Sequence, residues 1–207
     1  MPQSSICSLA RLAAAHRPAA FGAGSGSDTR ILVTERIDLS AADRQAWGAG
    51  GPDQGMKVLL QRVASACVRV DGIVVGAIDS GLLVFIGVEQ GDSTDDADYL
   101  ADKAAELRIF RDEDGKMNHS VEDVGGSALV VSQFTLAAST RRGRRPSYSR
   151  AAAPEEAIPL YRRFTERLRS RGLEVAEGVF QAMMDVELVN DGPVTILLDP
   201  PPFRSGS

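Results

Sequence analysis

Ala66-Cys67-Val68-Arg69-Val70-Asp71-Gly72-Ile73-Val74-Val75 is the stretch on which the reading of the fold turns. β-Branched and apolar residues flank an Asp-Gly pair, and that pair tolerates the positive φ of a tight two-residue turn. A hairpin is expected here, and with it an antiparallel start to a sheet. Just upstream, Met56-Lys57-Val58-Leu59-Leu60-Gln61-Arg62-Val63 is β-rich from residue 57. Downstream, Gly81-Leu82-Leu83-Val84-Phe85-Ile86-Gly87-Val88 is a nearly continuous apolar run of strand length.

A change of period follows. Ser93 or Thr94 can cap a helix, Asp95 and Asp96 suit its positive end, and Ala97, Leu100, Ala101, Ala104 and Leu107 recur at helical spacing. Asp112-Glu113-Asp114-Gly115 and Gly125-Gly126 are turns, and a strand is expected over 128–134. A second helix is expected from Pro154-Glu155-Glu156 to Gly172. Ile158, Tyr161, Phe164, Thr165 and Leu168 form its buried stripe, with Pro159 placed in the first turn. Residues 173–179, 184–189 and 194–198 read as strands, the last two separated by the turn Asn190-Asp191-Gly192-Pro193. The expected fold is α+β, an antiparallel-rich sheet or barrel with two helices.

Residues 1–55 differ from all this. They are dominated by Ala, Gly and Ser and cannot bury enough apolar surface to offset their ordering entropy, so they read as a disordered extension or an over-called start. The folded domain is placed at 56–203. Two cysteines in 207 residues, Cys7 and Cys67, build neither a disulfide framework nor a metal site, which favours a reducing, cytoplasmic setting. No run reaches the roughly 18 apolar residues of a membrane span, and no glycine-rich phosphate loop opens a helix. The net charge is −5, yet between Arg141 and Arg171 ten arginines stand against Glu155, Glu156 and Glu166, a local balance of +7. One basic face on an acidic chain suits a selective polyanion binder; two solvated surfaces of opposite sign are the alternative.

Three motifs stand out. Ser132-Gln133-Phe134-Thr135-Leu136 places hydroxyl and amide groups at the end of the hydrocarbon strand Ala128-Leu129-Val130-Val131. Asn190-Asp191-Gly192-Pro193-Val194-Thr195 can present bare backbone. Arg141-Arg142-Gly143-Arg144-Arg145-Pro146-Ser147-Tyr148 offers guanidinium forks for phosphate and an aromatic ring for a base, or else is a solvated loop. Taken one at a time, the first two are most simply turn formers. His119, in the loop-like Lys116-Met117-Asn118-His119-Ser120, reads as a surface residue.

With the opening at Met56, these motifs make the chain resemble the D-aminoacyl-tRNA deacylases, in order and at similar spacing, from Met56 to about Leu198. The resemblance implies a homodimeric hydrolase that cleaves the ester of D-aminoacyl-tRNA, and of glycine mischarged on tRNA-Ala, with no cofactor. Ser132, Gln133 and Phe134 would line the pocket for the aminoacylated 3′ end, and Thr135 aligns with a threonine proposed as nucleophile. A cis Gly192-Pro193 bond would enter the pocket of the other subunit and exclude L-amino acids by main-chain atoms, buttressed by Arg62. Arg141, Arg142, Arg144, Arg145 and Tyr148 correspond to a family segment ending in Arg-Pro-Ser-aromatic and would meet tRNA. Gln181, Met183, Asp185 and Glu187 depart from the family pattern. Two other readings compete: a Thr-nucleophile amidase or peptidase on small D-amino acid derivatives, and a non-enzymatic RNA-binding β module.

Overall fold

The computed structural model describes residues 55–141 and 143–200. All but Gly55 of the extension expected over residues 1–55, the chain after residue 200 and Arg142 lie outside the described residues. The elements run β1 (Lys57–Val70), β2 (Ile73–Ile78), β3 (Gly81–Gly87), α1 (Thr94–Glu106), β4 (Phe110–Arg111), β5 (Met117–His119), β6 (Ser127–Ser132), α2 (Pro154–Ser170), β7 (Glu174–Glu177) and β8 (Asp185–Leu198).

The Asp71-Gly72 hairpin forms as its residues require, with φ of 50° and 78° at the two turn positions. Residues 57–70, however, make one strand rather than two. β1 is long enough to pair with β3 over its first half, with β2 over its second, and with β8 along its other edge. The path β2-β1-β3-β6-β7 then curls until β2 meets β7. There the space a Cβ on Gly76 would occupy is 2.6 Å from the Glu177 carbonyl oxygen, so only glycine allows the approach that nearly closes the barrel.

The sheet is mixed, not antiparallel-rich as expected. β1 pairs antiparallel with its three neighbours, but β3 with β6 and β6 with β7 are parallel. The reason lies in the connections: α1 with the β4–β5 hairpin intervenes between β3 and β6, and α2 between β6 and β7. Such crossovers return the chain in the same direction. Parallel strands covered on both faces read as continuous apolar runs, and the alternation is visible once the faces are known. Leu82, Val84, Ala128 and Val130 join the larger core under the helices, with Leu100, Tyr161 and Phe164. Leu83, Leu129 and Val131 point the other way, into a smaller core with Val63, Val68 and Ile78. Cys67 is a buried strand residue.

Ser93 caps α1 through a capping box with Asp96. α2 begins with Pro154 at its first position, so Pro159 falls in the second turn, not the first; it is exposed there, on the solvent side. Ala157 and Leu160 extend the buried stripe beyond the expected residues, while Ile158 is only half-buried. Arg163 pairs with Asp98 and Arg167 with Asp102; Arg171 reaches Asp102, Glu106 and Glu122. These pairs hold the Asp102 carboxyl below its usual range, first through the Arg167 hydrogen bond. Arg150–Glu89 and Arg169–Glu177 are further pairs, so the segment 141–171 is not uniformly basic; Arg144, Arg145 and Arg162 are exposed.

Candidate active site

β6 ends at Ser132, and the chain breaks from the sheet at Gln133 (φ −141°, ψ 76°) into a 3-10 turn, Phe134–Ala137. The strand expected to reach Phe134 therefore stops two residues early. Gln133 N donates to the Ile86 carbonyl at 2.6 Å, so β3 still holds the departing chain. Below the turn lies Gly87. A Cβ there would sit 2.8 Å from Leu136 Cβ and 3.0 Å from the Gln133 carbonyl. The missing side chain lets the turn settle onto β3, a role that nothing in the apolar run 81–88 announced.

The turn forms one edge of a cavity of about 730 Å³, in the size range of small-molecule sites. Ser132, Gln133 and Thr135 give it a polar side. Ala151, Ala152 and Ala157 wall it from the α2 side, and Phe180, Met183 and Met184 come from the segment after β7. Gln181, one of the departures from the family pattern, also lines it and adopts φ 64°. Tyr161 is the lining residue with a titratable side chain. It donates to the Val130 carbonyl at 3.0 Å, and burial pushes its phenol well above the ordinary range.

Thr135 Oγ1 accepts a short hydrogen bond from the Gln133 side-chain amide. An amide N–H is a donor and cannot take the proton a nucleophilic threonine must lose. His119 is not a cavity residue; it is half-buried in β5, opposite Phe110, rather than in a loop.

The basic loop is brought to the same place. Ser139 and Ser147 exchange backbone hydrogen bonds of 2.8 and 2.9 Å that close it at the base, with Arg141, Arg144 and Arg145 exposed. Tyr148 meets Phe134 edge to face, ring centroids 5.1 Å apart. Both rings are exposed, so the Arg segment and the Ser132–Thr135 turn share one surface at the mouth of the cavity.

The Gly-Pro motif is elsewhere. Asn190-Asp191-Gly192-Pro193 is not a hairpin turn; β8 runs through it as a single strand. Opposite Gln61 stands Thr195 and opposite Val63 stands Asn190, so four residues of β8 bulge across from Arg62 alone. The Gly192-Pro193 bond is cis, and Gly192 has φ 131°. Arg62, only 2% exposed, donates to the Asp191 carbonyl at 3.2 Å, pairs with the Asp191 carboxylate at 2.9 Å and bonds the Ile109 carbonyl. Asn190 Oδ1 accepts from Val194 N at 2.9 Å and pins the bulge from inside. None of Arg62, Gly192 and Pro193 lines the cavity of its own chain.

Comparison with known proteins agrees with this architecture. The family model for D-Tyr-tRNA(Tyr) deacylase matches residues 59–199. The D-aminoacyl-tRNA deacylase of Syntrophotalea carbinolica is 64% identical over 144 residues, 70% of this chain and 97% of the relative. That of Thermomicrobium roseum is 60% identical over 152 residues, 73% and 99% of the two chains. Among solved structures, the c-Myc DNA unwinding element binding protein superposes with a TM-score of 0.66 at 38% identity, over 70% of this chain and 99% of its own. A probable eukaryotic D-amino acid tRNA deacylase shares the fold, with a TM-score of 0.61 at 18% identity over 70% and 99% of the chains. The chain belongs to the D-Tyr-tRNA(Tyr) deacylase family.

Proposed function

We propose that this chain hydrolyses the ester between a D-amino acid and the 3′ adenosine of tRNA, and that it also clears glycine mischarged on tRNA-Ala. The observation that carries the reading is the joining of the Ser132–Thr135 turn and the Arg141–Tyr148 loop at one cavity mouth through the Phe134–Tyr148 contact. A polyanion held by the loop would deliver its end to the cavity. Its apolar walls suit a nucleoside and an amino-acid side chain.

The chemistry follows from what lines the cavity. An aminoacyl ester is already activated, so a positioned water and backbone donors for the oxyanion can suffice. With Gln133 occupying the Thr135 hydroxyl, the proton is best handled by the ribose 2′-hydroxyl of the tRNA. This favours the deacylase over a Thr-nucleophile amidase. Chirality would be read by a second copy of the chain: the Asp191–Val194 bulge interrupts β8, and exposed Val189 and Leu197 on that strand offer apolar surface for a homodimer. Main-chain carbonyls of Gly192 and Pro193 from that copy would fill the space of an L side chain. A cytoplasmic setting and a role in translation quality control accompany this reading; among the described residues no helix is long and apolar enough to cross a membrane.

Matched D- and L-tyrosyl-tRNA test it directly. The D-ester is expected to be cleaved, the L-ester spared and glycyl-tRNA cleaved at an intermediate rate, followed by release of the free amino acid. Equal turnover of both enantiomers would sink the proposal, and binding without turnover would restore the RNA-binding module. Thr135→Ala is expected to retain substantial activity, whereas tRNA ending in 2′-deoxyadenosine should be a poor substrate. A trapped acyl-enzyme on Thr135 would reverse that assignment. Neutralising Arg141, Arg142, Arg144 and Arg145 together should flatten the salt dependence of tRNA binding by about 0.7–0.9 log units per lost phosphate contact, with the melting temperature little changed.

A further inference from the structure

Glu89 and Asp92, in the turn between β3 and α1, build a second polar site outside the cavity. Glu89 is 4% exposed. Its Oε2 accepts from Gly55 N at 3.1 Å and from the Arg150 guanidinium. Asp92 Oδ2 takes the Glu89 N–H at 2.7 Å, and its Oδ1 takes the Met56 N–H at 2.9 Å. Glu89 Oε1 is buried and, among the described residues, is the side-chain polar atom without a hydrogen bond. Such an atom normally has a partner.

Arg150 is paired with Glu89, Asp92 is half-buried beside it, and Asp96 is buried in the Ser93 capping box. Burial, more than its acidic neighbours, pushes the Asp92 carboxyl up to about 6. The two carboxyl groups hold the main-chain nitrogens of Gly55 and Met56, and the orphan oxygen belongs to the first of them.

A peptide N–H at Met56 supplies one donor and no charge. A primary ammonium at the same nitrogen supplies three donors and a unit charge. One N–H would keep Asp92 Oδ1, and with Gly55 absent the Glu89 oxygens are open to the others. We propose that the Glu89–Asp92 pocket is a receptor for a chain-terminal α-ammonium at Met56, its ligand being a primary ammonium carried by the polypeptide itself. The Met56 side chain, fully buried in the main core, anchors that nitrogen in place. The Syntrophotalea relative matches this chain over 144 residues, 97% of its own length. The inference is independent of the proposed activity.

The test starts from the folded full-length chain carrying a protease site in one of two places. Cleavage leaves either Met56 or Gly51 as the first residue, so both products lose the upstream segment and only one places an ammonium in the pocket. At pH 7 the Met56 product is expected to melt about 2–8 °C above the Gly51 product. Its α-amine, followed by nitrogen NMR, should titrate well above the ordinary range of about 7.7–8.0. A raised amine stabilises the fold below its unfolded value and loses that effect as pH rises through its folded value. The difference between the two products should therefore vanish in alkali. The groups that face the amine are Glu89, Asp92, Asp96 and Arg150. Asp92→Asn, or Glu89→Gln if that variant does not fold, should abolish the difference. Equal melting of the two products, or an α-amine titrating in the ordinary range, overturns the proposal.

Discussion

Replacing Arg62 by alanine is expected to lower stability by about 2–4 kcal/mol and to remove most of the activity of the protein that remains folded. The guanidinium is buried, its fork serves the Asp191 and Ile109 carbonyls, and it lies 6.0 Å from the Phe110 ring centre. Truncation would strand those acceptors and leave a void. The Asp191 carboxylate is 53% exposed, so the ion pair itself contributes little and the loss comes chiefly from the carbonyls and packing. The bulge would then be free to shift, with the Gly192 carbonyl that the proposed function assigns to chiral exclusion. Thermal melting should fall by about 5–10 °C, and discrimination between D- and L-tyrosyl-tRNA should fall with it. Arg62→Lys keeps the charge but not the fork, and is expected to recover only part of either property. Unaltered discrimination in a folded alanine variant would detach Arg62 from the site.

Gly87→Val is the second large effect, expected to cut turnover by about a hundredfold while leaving tRNA binding nearly intact. Even a Cβ meets Leu136 Cβ at 2.8 Å and the Gln133 carbonyl at 3.0 Å, atoms fixed to backbone that cannot swing aside. The 3-10 turn must lift from β3, carrying Gln133 and Thr135 with it, and displacement of catalytic groups by about 1 Å commonly costs that much. The Arg loop is closed by its own Ser139–Ser147 bonds and should not follow. Single-turnover rates and filter binding separate the two. A parallel loss of binding would mean that turn and loop move as one body.

Local chemistry is legible in the chain. Asp71-Gly72 makes its hairpin, Ser93 caps its helix and the apolar runs 81–88 and 128–131 become strands, because a turn, a cap or a run depends on residues within a few positions of one another. The family resemblance singles out Arg62, the Ser132–Thr135 segment and Tyr148; in the structure Arg62 bonds the Asp191 carbonyl, and Tyr148 meets Phe134 of the segment that lines the cavity. What the residues could not disclose were matters of pairing. Parallel β3–β6 and β6–β7 registers depend on how α1 and α2 carry the chain back, which no hydrophobic run encodes. Pro193 looks like the end of a strand, yet β8 passes through it because β1 holds both flanks while the bulge between them makes no ladder demand on the missing N–H. The arginines of α2 look like a basic face until α1 sets Asp98, Asp102 and Glu106 beside them. Gly87 looks like any glycine in a strand until the turn of Gln133 and Leu136 lies on it. In each case the deciding partner is dozens of residues away, and only packing brings it within reach.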